Sequence, residues 1–187
     1  MRKITLVALA ALFTVSQAPT LSQGGTPTSA TDVTNAEVLT ILKMARLDEQ
    51  LKVVDMGKYN VGVGVLHRGK TGAGASAAAG VSGYSHNQIT EVYYIVSGSG
   101  TLVTGGAMVN ARPADLGVLA GPSMSGRFQN GHSRRVGPGD VVIVPPGVPH
   151  GFSAIDDHVD YLAVRVDADH VLPAGYVNEA IKTVASK

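Results

Sequence analysis

Two short stretches carry the side chains best placed to do chemistry. In Gly83-Tyr84-Ser85-His86-Asn87-Gln88-Ile89-Thr90-Glu91-Val92-Tyr93, an imidazole and a carboxylate stand five residues apart. On one straight strand side chains share a face at every second residue, so His86 and Glu91 would point to opposite faces. Asn87-Gln88 is turn chemistry, however. If His86 ends one strand and Glu91 opens the next, both face the interior. Tyr84 then joins His86 by the i−2 relation, and Tyr93 joins Glu91 by i+2. In the second stretch, Gly139-Asp140-Val141-Val142-Ile143-Val144-Pro145-Pro146-Gly147-Val148-Pro149-His150, a strand runs into a rigid Pro-Pro-Gly-Val-Pro corner. Three prolines and a glycine fix the backbone direction there, which suits a side chain that must be held still, and His150 follows immediately. The chain has no cysteine, so any metal must sit on nitrogen and oxygen.

The elements that would position these groups are mostly strands. Val61, Val63 and Val65 alternate with small or polar residues, and strand-like runs recur at Val92–Val96, Thr101–Thr104, Val141–Val144 and Tyr161–Val166. Gly137-Pro138-Gly139-Asp140 fits a turn with Pro second and Gly third, and Gly105-Gly106 fits a hairpin. Short strands punctuated by Gly and Pro predict an all-β sandwich or barrel. Ahead of them, Thr34-Asn35-Ala36-Glu37 has capping-box spacing. Val38, Ile41, Leu42 and Ala45 recur at helical spacing behind it, which predicts a helix over 35–51 packed outside a barrel over 52–170. Thr71 to Gly83 is almost entirely Gly, Ala and Ser and reads as a flexible lead into the site. Ala111 to Arg135, with Arg112, Arg127, His132, Arg134 and Arg135, reads as a long polar insertion, either a binding loop or solvated surface. On the last run, Tyr161 and Arg165 share a face, which could be either one. Phe152 is expected to fill the barrel. His67, His158 and His170 read as isolated surface or outer residues.

The N-terminus reads as an address label. Arg2 and Lys3 precede an uncharged, mostly apolar run from Ile4 to Val15, the pattern of a secretory signal peptide, placed at 1–23, with a disordered Gly/Ser/Thr/Pro-rich lead-in over 24–34. The run is shorter than the roughly 20 residues of a membrane span. The expectation is therefore a periplasmic or secreted chain with no membrane span in its mature form. About 160 residues remain, enough for one domain with a sizeable core. A net charge of +1 without a lysine- or arginine-rich run argues against a nucleic-acid partner.

Gly139-x5-Pro145-x-Gly147-x2-His150 resembles the second conserved motif of the cupin superfamily, and His86-x4-Glu91-x6-Gly98 resembles most of the first. The chain thus looks like a small, single-domain, exported bacterial cupin, with residues 35–187 as the domain. The resemblance implies an all-β, double-stranded β-helix (jelly-roll) barrel with an N-terminal helix. It also implies a metal held by His86, Glu91 and His150. The usual first histidine falls at Tyr84, and the asparagine that often ends the second motif is Ala154. Two histidines and a carboxylate with open positions suit one divalent transition metal ion such as Fe(II), Mn(II) or Zn(II) and leave room for water or substrate. Tyr84 would be a fourth, phenolate ligand or a general acid/base beside the metal. Some cupin lyases place a tyrosine base two residues past the motif glutamate, and Glu91-x-Tyr93 is similar.

One fold hosts many chemistries. The resemblance implies a small metalloenzyme of isomerase, lyase or dioxygenase type acting on a small organic molecule, with Tyr84 or Tyr93 moving a proton. The alternative is a non-catalytic, small-molecule-binding barrel that has lost its metal. Cupins commonly dimerise, so a homodimer is the expected assembly.

Overall fold

The computed structural model describes residues 27–44, 46–71 and 80–184. The expected signal peptide, the first part of the lead-in and most of the Gly/Ala/Ser-rich stretch after Thr71 lie outside them. Helix α1, Asn35–Leu42, begins with the expected capping box: Thr34 Oγ1 accepts from Glu37 N at 3.3 Å, and Glu37 Oε2 accepts from Thr34 N at 2.7 Å. The helix is shorter than the spacing predicts. Residues expected to continue it to Leu51 instead form strand β1, Asp48–Asp55, which pairs antiparallel with β2, Asn60–Thr71. Lys43 to Gln50 contains good helix formers, but propensity yields where a strand buries more. A bulge between Gln50 and Lys52 lets Gln50 and Leu51 both be buried. Leu51 packs with Ile41 of α1, Val65 and Ile181, while Gln50 hydrogen-bonds to the buried Arg165.

Five further strands follow before the second motif: β3, Val81–His86; β4, Ile89–Thr104; β5, Ala107–Asp115; β6, Pro122–Gln129; and β7, His132–Val136. β8, Val141–Val144, and β9, His150–Asp167, complete the antiparallel barrel. Neighbouring strands run in the order β1-β2-β9-β3-β6-β5, with β4 pairing to β9, β8 and β7.

Several expectations need correction. Val92–Val96 and Thr101–Thr104 are parts of one strand, β4, bent by register shifts between Ile95 and Leu102. The motif glycine Gly98 sits in that bend with φ +67°, and a Cβ there would lie 2.0 Å from His158 O, so a side chain is excluded on both counts. Gly105-Gly106 does turn the chain, but β4 and β5 do not pair with each other, so it closes no hairpin. Residues 111–135 are not an insertion loop: they supply the rest of β5, all of β6 and most of β7. β5 and β7 are largely exposed and β6 buries only Ser123 and Phe128, so they lack the inside–outside alternation by which strands are read. Residues 81–83 of the expected flexible stretch are likewise strand. The Gly137–Asp140 turn forms as expected, with Asp140 N donating to Gly137 O at 3.0 Å.

The main core lies inside the barrel, with Ile95, Leu102, Val144, Ile155 and Val159 around Tyr93 and Tyr161. Phe152 packs against it as expected, with its ring centroid 5.9 Å from that of Tyr161. Tyr161 and Arg165 both point inward, which settles which face they share.

Candidate metal centre

The Asn87-Gln88 turn between β3 and β4 does what the sequence demands of it. His86 at the end of β3 and Glu91 near the start of β4 are both buried and face one another. His150 arrives from the proline corner at the start of β9. Gly147 N donates to His86 O at 2.7 Å, so the corner is tied to the strand end that carries the first histidine. On β3, Gly83 allows close approach to β9, where a Cβ would meet His150 O at 2.0 Å.

Glu91 Oε2 lies 3.3 Å from His86 Nε2 and 3.4 Å from His150 Nε2. One donor atom from each of the three residues can be chosen so that all lie within 4.8 Å of one another. The tautomers follow from the outer partners. Val148 O, 3.0 Å from His150 Nδ1, can only accept, so that nitrogen carries the hydrogen. Ser123 Oγ donates to Gly121 O at 3.1 Å, which leaves its lone pairs to receive His86 Nδ1–H at 2.9 Å. In the neutral rings both Nε2 lone pairs then converge on a carboxylate oxygen. Such an array is satisfied by a cation between the three atoms, and histidines anchored through Nδ1 in this way are typical metal ligands. The donor set fits a divalent ion.

The rest of Glu91 is equally constrained. Oε1 accepts from Arg165 Nε at 3.0 Å, and Oε2 accepts from the Tyr93 hydroxyl at 2.5 Å. Arg165 is itself held by Asp48 Oδ2 at 2.6 Å and Gln50 Oε1 at 2.5 Å. Burial alone would push the Glu91 carboxyl up; when the His150 and His86 rings carry a hydrogen on Nε2 as well, their hydrogen bonds and the charge of Arg165 outweigh it and hold the group well below the usual carboxylate range. At Asp48 the balance is reversed, and burial raises the pKa despite Arg165. Burial and then the Glu91 charge push the Tyr93 phenol well above its ordinary value, so it keeps its hydrogen. Burial also pushes Tyr161 up to about 12.

A cavity of about 130 Å³ opens on these groups, with Asp48, Arg68, Tyr84, Glu91 and His150 in its wall. An outer pocket of about 320 Å³ shares Arg68, Tyr84 and His150 with it. Tyr84 is 38% exposed, so it stands at the mouth between the two while His86 lies within. A separate apolar groove of about 270 Å³, between residues 27–33 and β1–β2, contains none of the groups described here.

Sequence reasoning missed Asp48, Gln50, Ser123 and Arg68, and left Arg165 without a role. One signal was available: a glutamate buried in a barrel needs a cation, and Arg165 is the arginine of the last strand-like run. His132 and Arg134 lie exposed on β7 and line neither cavity. Arg135 beside them pairs with Asp156. His67 and His158 are not isolated as expected. Asp160 Oδ1 is 2.6 Å from His67 Nδ1, and Ser97 Oγ is 3.2 Å from His158 Nε2.

Among curated proteins no sequence matches the chain. Solved structures similar to it include the DMSP lyase DddQ from Ruegeria pomeroyi DSS-3, with TM-score 0.42 and 18% identity over 68% of this chain and 49% of that one. The chain thus spans about half the length of that protein. A cupin protein from Bacteroides fragilis aligns with TM-score 0.36 and 23% identity over 63% of this chain and 72% of that one. KdgF from Halomonas sp. aligns with TM-score 0.36 and 15% identity over 64% and 80%. The family model described as Cupin matches residues 77–184, a span that holds all three candidate ligands. With that match over more than half its length, the chain belongs to the cupin family.

Proposed function

We propose that this chain is an exported, metal-binding cupin that acts as a small metalloenzyme on a small organic molecule. The observation that carries the reading is the convergence of two Nδ1-anchored imidazoles on one oxygen of a buried glutamate. His86, Glu91 and His150 would hold a divalent ion of the Fe, Mn or Zn kind, which would polarise a substrate oxygen. Arg165 fixes Glu91 through Oε1 and so aims Oε2 at the histidines. Ser123 and Val148 O fix the rings. Tyr93 holds its hydrogen at Glu91 Oε2, and Tyr84 presents a phenol at the cavity mouth as a further ligand or an acid/base group. Isomerase, lyase and dioxygenase chemistries all use such groups. The charged n-region and apolar run before residue 24 support export, and a homodimer is the assembly we propose.

The test is elemental analysis of the protein without its leader or a histidine tag. About one ion per chain is expected, and its identity decides which reactions to screen. A protein that holds no metal, and that no added metal stabilises against heat, would instead be a ligand-binding barrel without metal. Tyr84 in place of a histidine is the observation favouring that second reading. Ser123→Ala frees the His86 ring and is expected to weaken metal about 10- to 100-fold, measured by competition with a chelator. Unchanged affinity would mean that the serine does not orient the ring.

A further inference from the structure

We infer that the site takes a carboxylate-bearing substrate and that the Arg68 guanidinium is the group that grips it. This names the substrate class for the metal-site reading above and rests on it.

Two carboxylates, Glu91 and Asp48, and the Arg68 guanidinium line the inner cavity, and the Arg165 guanidinium binds both carboxylates without lining it. Arg165 lies between both carboxylates, 3.0 Å from Glu91 Oε1 and 2.6 Å from Asp48 Oδ2. Arg68 has no such partner. Its Nε donates to the Tyr161 hydroxyl at 2.7 Å, and its Cζ lies 5.8 Å from the Phe152 ring centroid. Among the described residues no carboxylate forms an ion pair with it and no acceptor binds its Nη atoms. All fourteen Asp and Glu residues of the chain are among those described.

Placement makes this lack of a partner meaningful. Arg68 lines both the inner cavity and the outer pocket, together with Tyr84 and His150. Tyr161 and Phe152 hold the guanidinium on one side, so its remaining donors stay on the other. A fixed, planar fork of N–H donors beside a cavity suits a carboxylate, which it meets through two parallel hydrogen bonds. The overall charge points the same way. The four charged groups cancel, so a divalent ion on the neutral histidines leaves the enclosed site with an excess of two positive charges. An enclosed excess of that size favours an anionic ligand over a neutral one.

The test is calorimetric titration of the metal-loaded protein with acetate and with acetamide, its uncharged isostere, in wild type, Arg68→Met and Arg68→Lys. Wild type is expected to prefer acetate. Arg68→Met should keep its metal and lose about 10- to 100-fold in acetate affinity, with acetamide unaffected. Arg68→Lys, which keeps the charge but not the fork, should fall between. Equal binding of acetate and acetamide by wild type, or acetate affinity unchanged in Arg68→Met with full metal content, overturns the proposal. If Arg68→Met does not fold, Arg68→Lys and the acetate-to-acetamide preference decide it. Should wild type hold no metal, the metal reading fails by itself, and the same titrations on the metal-free protein still decide the role of Arg68. Acetate that binds neither form overturns it.

Discussion

The His150→Ala protein is expected to lose its metal, falling from about one ion per chain to under about a tenth, while keeping its barrel. His150 contributes one of three converging donor atoms through Nε2, and its Nδ1 donates to Val148 O. Truncation therefore removes a ligand and leaves one carbonyl short of a donor, a cost of about 1–3 kcal/mol. Glu91→Gln should lose the metal as well. Its amide oxygen can still accept from Arg165 Nε, but the negative charge that balances both the ion and the guanidinium is gone. Elemental analysis beside circular dichroism checks both variants. Metal retained at wild-type stoichiometry in either would mean that the ion sits elsewhere.

Arg165→Met is expected to cost about 3–5 kcal/mol, because it leaves two buried carboxylates without their shared counter-charge. For a chain of this size that lowers the melting temperature by about 6–20 °C. Arg165 is 1% exposed and binds Glu91, Asp48 and Gln50 together. The three partners come from β1 and β4, so the arginine joins strands distant in sequence as well as balancing charge. The metal-free protein should show the full loss. With metal present the deficit should shrink, since the ion restores a positive neighbour to Glu91 but not to Asp48. Thermal unfolding with and without metal reads both, and a shift of only a degree or two would mean that the network contributes little to stability.

The convergence of His86, Glu91 and His150 was legible because their spacing is tied to backbone events the sequence displays. Asn87-Gln88 must turn for His86 and Glu91 to face one cavity, and the prolines before His150 fix where the chain re-enters the barrel. β2 was legible by alternation, although its valines Val61 and Val63 sit on the partly exposed face and Gly62 and Gly64 on the buried one. β5 and β7 were not, since both are largely exposed and pattern disappears where burial does. β1 was hidden for a different reason. Leu47 to Leu51 is locally helical in composition, and only the pairing of Asp48 with Leu66 and the buried contacts of Asp48 and Gln50 with Arg165 make it a strand. Leu66 lies 18 residues from Asp48, and Arg165 lies 117 from it. Ser123 was invisible because a single serine in a polar segment carries no signal of the ring it orients.

β9 is the last strand of the chain, yet it lies between β2 and β4, pairing Asn60 with Asp167 on one side and Ile89 with Asp167 on the other. It also carries His150 and Arg165. A chain synthesised only as far as Pro149 therefore has one of the two candidate ligand histidines, a Glu91 without Arg165, and open edges on β2, β3 and β4. Contacts so distant in sequence form late and slowly. The barrel closes and the candidate ion site is completed in the same event, when β9 joins β2, β3 and β4. An ion filling the site would then be the one available wherever the chain folds, since local supply as well as ligand chemistry governs which metal a nitrogen–oxygen site acquires.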